Sequence, residues 1–182
     1  VSFNDAVGLS CQSWDEIKAL EEGEWSQNGN GHRLIVKLED SYSETYFKKI
    51  EEILREYDPN HLYLGCRFVR KIPRKDIIKI ASKYIDILSV NCYSLVPDRE
   101  QFQEWYEVSG RPIQIGEHQL AMYGPRQHPP IYPAFTEDER KKWYPEFDKT
   151  FAEMPFSVGS HWFQWVDQCI TGRPSNGENQ MI

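Results

Sequence analysis

Apolar residues recur every three or four positions in the second quarter of the chain. The residues that define this apolar face are Phe47, Ile50, Leu54 and Tyr57. Lysine, glutamate and arginine fill most of the positions between them, so the pattern predicts an amphipathic helix that begins near Ser43. The Asp58-Pro59-Asn60 sequence is a typical stop, and we expect the helix to end there.

Four other segments have helical features. Helices are predicted at residues 14–20, 75–84 and 99–108, and after residue 136. Ser13 with Glu16, and Thr136 with Glu139, have the spacing of a capping box, in which each side chain satisfies a free backbone N–H of the first turn. Two stretches between the helices, 23–31 and 119–135, are rich in glycine or proline and are predicted to be loops.

Short apolar runs alternate with these helices and predict strands. The runs lie at residues 61–68, 85–91, 112–115 and 156–163. The first two intervals between strands are about 25 residues long, which is the length of one βα unit. This alternation predicts an α/β protein with a parallel sheet.

The predicted strands end in residues of a functional kind, namely Arg67, Asn91, Glu117 and Trp162. Such an arrangement favours a (β/α)8 TIM barrel, whose active sites lie at the carboxyl ends of the strands. A doubly wound sheet would more often show a glycine-rich phosphate loop after its first strand, and none is present. A complete barrel usually needs ~250 residues, so the chain corresponds to about half of one.

Composition excludes several classes of function. The 182 residues carry a formal net charge of -7, whereas nucleic-acid binding needs a basic face. There is no apolar run of membrane-spanning length and no signal peptide is visible at the amino terminus. The four cysteines are widely spaced and the histidines have no partners at ligand spacing, so we expect no metal and no cofactor.

Glu117 is the strongest candidate for chemistry. It follows the apolar run from Pro112 to Ile115, and Gly116 allows other backbone or a ligand to approach. A carboxylate at the carboxyl end of a parallel strand is a candidate nucleophile or general base. A solvated glutamate at the start of a loop is the structural alternative, and these residues alone do not decide between the two.

Three motifs carry a resemblance to a known family. They are His61-Leu62-Tyr63-Leu64-Gly65-Cys66-Arg67-Phe68, Ile113-Gln114-Ile115-Gly116-Glu117-His118 and His161-Trp162-Phe163-Gln164-Trp165-Val166-Asp167-Gln168. Together they resemble the β-agarases of glycoside hydrolase family 50 and, more distantly, the clan of retaining glycosidases that includes the β-galactosidases. The carboxyl-terminal Thr171-Gly172-Arg173 and Gly177-Glu178-Asn179, and the amino-terminal Phe3-Asn4-Asp5-Ala6 and Ser13-Trp14-Asp15, resemble the same group.

The resemblance implies that residues 1–182 are the carboxyl-terminal half of a TIM-barrel glycosidase domain. Residues 1–32 would follow strand 4, and residues 43–182 would supply strands 5–8 with their helices. Glu117 would be the nucleophile of a retaining β-glycoside hydrolase that acts on a β-linked, agarose-like galactan. The acid/base glutamate and strands 1–4 of the barrel would lie upstream of Val1, and the protein would be secreted, periplasmic or on the cell surface.

The resemblance also implies roles for residues around Glu117. Arg67 would hold a positive charge near the carboxylate, the Tyr93 hydroxyl would orient it, and the face of Trp162 would lie under the sugar ring. Asn91, which closes the same strand as Tyr93, is expected to contact the substrate. His161 points to the opposite face from Trp162 and is expected to be structural. Further contacts with substrate hydroxyls are expected from His118, Gln164, Asp167, Gln168, Arg173, Glu178 and Asn179. Each of these side chains also has an ordinary structural interpretation, as a surface ion pair or a satisfied core residue.

Two alternatives stay open at this point. One is a β-glycosidase of the same clan, such as a β-galactosidase, with a different substrate. The predicted loop at 119–135 follows the nucleophile directly and would shape the binding subsites, so specificity depends on it. The other is a non-catalytic carbohydrate-binding barrel.

Overall fold

A computed structural model of the chain describes residue 4, residues 9–19, 29–69, 74–122 and 132–174, and residues 177 and 179. The helices are α1 (Trp14–Ala19), α2 (Gly29–Tyr57), α3 (Lys75–Ser82), α4 (Arg99–Ser109) and α5 (Glu137–Ala152), and the strands are β1 (Leu88–Asn91), β2 (Ile113–His118) and β3 (Ser157–Trp162). Within the described residues, no helix is both long enough and apolar enough to cross a membrane.

The three strands form one sheet in the order β1-β2-β3, and both pairs are parallel. Helices connect them, α4 between β1 and β2 and α5 between β2 and β3. The predicted parallel α/β architecture is therefore confirmed. Three strands do not establish a closed barrel, and the barrel remains a prediction.

Local sequence signals set most helix ends. Thr136 Oγ1 accepts a hydrogen bond from Glu139 N–H, and Glu139 reaches back to accept one from Phe135 N–H, so the predicted capping box is present. Ser13 caps α1 in the same way by accepting from Glu16 N–H. The Asp98 carboxylate caps α4, which ends at Gly110 in a left-handed conformation.

The prediction for α2 was wrong at its amino end. The helix ends at Tyr57 as expected, but it begins at Gly29, so residues 29–31 of the predicted loop belong to its first turn. Gly29 and Gly31 have weak helix propensity, so the sequence pattern favours a loop at these positions, and the helix is held by contacts further along its length. Arg74, just before α3, binds Asp40 Oδ1 at 2.5 Å and Glu39 Oε2 at 3.2 Å. Residues 23–28 of the predicted loop lie outside the described residues.

The first predicted strand, residues 61–68, is not a regular strand. It makes a single parallel bridge to β1, at Phe68 and Val90, and is held further by the hydrogen bond from Tyr63 N–H to the Asp86 carboxylate. Gly65 adopts a φ of 68°, which breaks the extended conformation in the middle of the run. Residues 123–131 of the predicted 119–135 loop also lie outside the described residues, and Met122 and Ala134 on either side of that gap form a bridge.

The core lies between the sheet and its helices. Alternate residues of β1 and β2, including Leu88, Val90, Ile113 and Ile115, are fully buried and belong to one apolar cluster. On the helix side the cluster contains Phe102 and Trp105 of α4 with Phe147 and Phe151 of α5. We call this side of the sheet the helix face. The opposite side, which carries Ser89, Gln114 and His161, is called the polar face.

Candidate active site

The carboxyl end of β2 contains one extra residue relative to both of its neighbours. Val90 and Asn91 are consecutive on β1 but pair with Ile115 and Glu117. On the other side, Ser160 and Trp162 are two residues apart but pair with Ile115 and His118, which are three apart. This is a β-bulge, and an extra residue reverses the side to which the following side chains point.

The bulge decides where Glu117 points. In a regular strand, residues 113, 115 and 117 share one face, so Glu117 would join Ile113 and Ile115 in the core. With the extra residue, the Glu117 carboxylate lies among polar side chains and His118 takes the position on the helix face. Backbone hydrogen bonds fix the segment on both sides, from Cys92 N–H to the Glu117 carbonyl at 2.9 Å and from Phe163 N–H to the His118 carbonyl at 2.8 Å.

Three side chains donate hydrogen bonds to the Glu117 carboxylate. Arg67 Nη1 donates to Oε1, while Asn91 Nδ2 and the Tyr93 hydroxyl donate to Oε2 at 2.7 and 2.6 Å. The structure thus brings together four of the residues selected from the sequence. An ionised carboxylate only accepts hydrogen bonds, so it satisfies all three donors at once. The Glu117 side chain is 16% exposed, which leaves it accessible from one direction.

Each donor comes from a different position at the same edge of the sheet. Arg67 precedes the bridge residue Phe68, Asn91 is the last residue of β1, and Tyr93 follows it by two residues. Because parallel strands end at the same edge, residues far apart in sequence meet there. The result is a carboxylate with a fixed orientation, a neighbouring positive charge and little freedom to rotate.

His118 has the opposite environment. It is 2% exposed, and its ring stacks on Phe147 at a centroid distance of 4.3 Å and meets the edge of Trp162 at 5.4 Å. Burial lowers the pKa of His118 from 6.5 to about 4, although Asp148, whose Oδ1 lies 3.9 Å from Nε2, acts against this shift. His118 is therefore neutral at neutral pH, and the structure places it behind Glu117 and away from the polar face.

Trp162 is not brought together with Glu117. Its ring packs against His118 and lies 5.1 Å from Tyr144 of α5, so it belongs to the helix face. There it lines a cleft of about 350 Å³ with Tyr144 and the charged side chains of Glu137, Arg140 and Lys141. His161, the residue before it, points the other way and lies 3.1 Å from the Gln114 side chain. By the same alternation, Phe163 rather than Trp162 presents its ring to the polar face.

The remaining predicted contact residues lie on the segment that follows β3. Arg173 places its guanidinium 5.7 Å from the centre of the Phe163 ring. Gln164 and Asn179 donate to backbone carbonyls, those of Val166 and Ile170. Asp167 is exposed and Gln168 is half-buried, while Glu178 lies outside the described residues. None of the bonds found for these residues reaches Glu117, and their contacts with substrate remain predictions.

No group of three or more His, Cys, Asp or Glu side chains within the described ranges has an arrangement that could hold a metal ion. The cysteines described there, Cys11, Cys66, Cys92 and Cys169, are not joined in disulfides.

Sequence reasoning missed several neighbours of the site. Phe147 and Asp148 surround His118, and Ser89 lies beside Gly116. The sequence predicts a helix after residue 136 but does not connect its aromatic residues with the site. Strand alternation alone predicts that Trp162 and Phe163 point to opposite sides of the sheet. Which of them shares a side with Glu117 depends on the bulge in β2, and no residue pattern predicts that bulge.

Comparisons with known proteins show similarity in sequence and in fold. The chain is 30% identical to β-agarase B and 27% identical to β-agarase A of Vibrio sp. (strain JT0107), over 99% of its own length in both cases. The solved structure of an exo-β-agarase superimposes with a TM-score of 0.78 and 30% identity over 98% of this chain. The chain is similar to β-agarases along almost its whole length.

The matched region is a small part of those proteins. This chain spans 19% and 18% of the two Vibrio sequences and 25% of the exo-β-agarase chain. No family model matches the sequence. The similarity thus covers one part of larger enzymes, and what those whole proteins do enters below only as a proposal.

Proposed function

We propose that this chain carries the nucleophile of a retaining β-glycoside hydrolase that acts on a β-linked galactan of the agarose type. The observation that carries the proposal is the Glu117 carboxylate, held by Arg67, Asn91 and Tyr93 at the carboxyl end of a parallel strand. The similarity to β-agarases supports the substrate class. On this proposal the three strands belong to the second half of a (β/α)8 barrel.

In the proposed reaction, Glu117 attacks the anomeric carbon and forms a covalent glycosyl-enzyme, which water then hydrolyses. Arg67, Asn91 and Tyr93 hold the attacking carboxylate in one orientation, which favours a near-attack geometry. A retaining enzyme needs a second carboxyl group roughly 5–5.5 Å from the first, to protonate the leaving oxygen. The family resemblance assigns that role to a glutamate upstream of Val1.

An aromatic ring beneath the reacting sugar is part of the proposal. Phe163 is a better candidate than Trp162 for this contact, because strand alternation assigns residue 163, unlike residue 162, to the side of the sheet that carries the carboxylate. The secreted, periplasmic or cell-surface location implied by the resemblance fits a polymeric substrate. Gln164, Asp167, Gln168, Arg173 and Glu178 are proposed to contact more distant sugars.

The test is Glu117→Gln in the complete gene product. We expect release of reducing ends from agarose to fall by at least about 10³-fold, because an amide cannot act as the nucleophile. Glu146→Gln, an exposed glutamate on α5, is the matched control and should retain activity. A 2-deoxy-2-fluoro-galactoside should label Glu117 covalently, as detected by peptide mass spectrometry. Unchanged hydrolysis by Glu117→Gln would overturn the proposal, and sugar binding without turnover in the unsubstituted protein would favour a binding module.

A further inference from the structure

Gly116 lies in the bulge next to Glu117, and its backbone does not explain why glycine is present. The described glycines with positive φ are Gly65, Gly110, Gly159, Gly172 and Gly177. Gly116 is not among them, so its backbone is one that alanine also adopts. The reason for glycine at this position must therefore be space.

The space is occupied by the stem of Arg67. A Cβ atom on residue 116 would lie 2.7 Å from Cδ and 2.9 Å from Cγ of Arg67, and 2.7 Å from Ser89 Oγ. All three distances are well inside van der Waals contact between non-bonded heavy atoms. The Arg67 side chain therefore crosses directly over the Cα of Gly116 on its way to the Glu117 carboxylate.

The two side chains that a Cβ at residue 116 would meet, Ser89 and Arg67, differ in how easily they can move. Ser89 is 2% exposed and lies in the middle of β1, so it cannot yield easily. The Arg67 side chain is 54% exposed and can swing outward. An added methyl group at residue 116 would therefore push Arg67 away from Glu117 and leave the sheet in place.

We propose that Gly116 is a positioning residue that acts through Arg67, and that its missing side chain forms the passage by which the guanidinium reaches the carboxylate. The inference rests on the proposed function for its effect on catalysis. Its steric part, the conflict between a residue-116 side chain and the Arg67 stem, is independent of any activity. If glycine were needed at residue 116 only for its backbone conformation, the effect of Gly116→Ala would be the same with and without the Arg67 side chain.

The experiment is a double-mutant cycle of Gly116→Ala and Arg67→Ala in the complete gene product, measured by kcat, KM and thermal unfolding. Arg67→Ala removes the Cγ and Cδ atoms that the new methyl group would meet. We expect each single substitution to lower kcat by about 10²-fold with a smaller change in KM, since the carboxylate loses its orientation. Gly116→Ala should lower kcat much less in the Arg67→Ala background than in the unsubstituted protein. Val158→Ala on β3, an exposed strand residue, is the control and should leave kcat unchanged.

Thermal unfolding tests the steric conflict at residue 116 separately from its effect on catalysis. The part of the stability loss that comes from the Arg67 stem should disappear when Arg67 is also alanine, whereas the part that comes from Ser89 Oγ should remain. This result is expected even if the protein turns out not to hydrolyse glycosides, in which case Glu117→Gln would also change nothing. Two results would overturn the inference: a Gly116→Ala protein with full activity and stability, or an equal loss from Gly116→Ala with and without the Arg67 side chain.

Discussion

Glu117 and His118 are neighbours on one strand and occupy opposite environments. Glu117 is surrounded by hydrogen-bond donors from Arg67, Asn91 and Tyr93, whereas His118 is packed among the rings of Phe147 and Trp162. One position uses the side chain for polar contacts and the other uses it to fill space. The difference shows how a site can be both reactive and rigid, because the residue behind the carboxylate anchors the strand to α5.

The comparison also explains why a histidine can be buried here. A ring stacked at 7° to Phe147 contributes as an aromatic side chain, and Asp148 is close without making a hydrogen bond to it. At neutral pH this ring is uncharged, so its burial costs little. The carboxylate of Glu117 lies instead on the polar face, where three donors bind it.

The largest change in stability is expected when position 118 carries a carboxylate, as position 117 does. His118→Glu would place a second carboxylate against Phe147 and near Asp148, so we expect a loss of about 3–5 kcal/mol in the free energy of unfolding. Urea unfolding at pH 7 measures it. Glu117→Gln, on the other face, should change this free energy by less than about 1 kcal/mol. Similar losses for the two variants would show that the faces are not distinct.

A smaller change, in the pH dependence of the free energy of unfolding, is expected when His118 is replaced by a residue that does not titrate. In the unfolded chain His118 has a pKa near 6.5, and in the folded protein it is about 4, so between these values the unfolded state binds more protons. Stability therefore falls as the pH drops from about 6.5 towards 4, by about 2–3 kcal/mol from this group. His118→Phe should flatten that part of the profile, measured by denaturant unfolding at several pH values. The charged groups nearest the ring are Asp148 and His161, and an unchanged slope in His118→Phe would assign the pH dependence to them.

The smallest change is expected from the loss of one hydrogen-bond donor to Glu117, the Tyr93 hydroxyl. Tyr93→Phe removes the hydroxyl that bonds Glu117 Oε2 at 2.6 Å but keeps the ring, and Asn91 still donates to the same oxygen. We expect kcat to fall by about tenfold, equivalent to one hydrogen bond to a charged group, with unfolding nearly unchanged. Steady-state kinetics on agarose oligosaccharides and a thermal melt are sufficient. If kcat is unaffected, Asn91 and Arg67 alone hold the carboxylate.

Much of the architecture was predictable because its signals are local. Thr136 and Glu139 predict the start of α5, and the alternation of strands and helices predicts that the strands are parallel. The meeting of Arg67, Asn91, Tyr93 and Glu117 follows from the rule that parallel strands end at one edge. These inferences need only residue types and their spacing.

Other features were not predictable because they depend on tertiary contacts. The first turns of α2 form although they contain Gly29 and Gly31, and Arg74 contacts the helix further along, through Glu39 and Asp40. The face of Glu117 depends on one extra residue in β2, which has no recognisable pattern in the sequence. A candidate residue can therefore be selected from the sequence, but the direction of its side chain cannot be read from the same pattern.

The bulge in β2 has a genetic consequence. An in-frame loss of the single codon for Gly116 would remove the extra residue and leave Glu117 directly after Ile115, so regular alternation would still direct Glu117 to the polar face and His118 to the helix face. Among relatives with this arrangement, we therefore expect a strand that is one residue shorter at this point to keep both side chains on their faces.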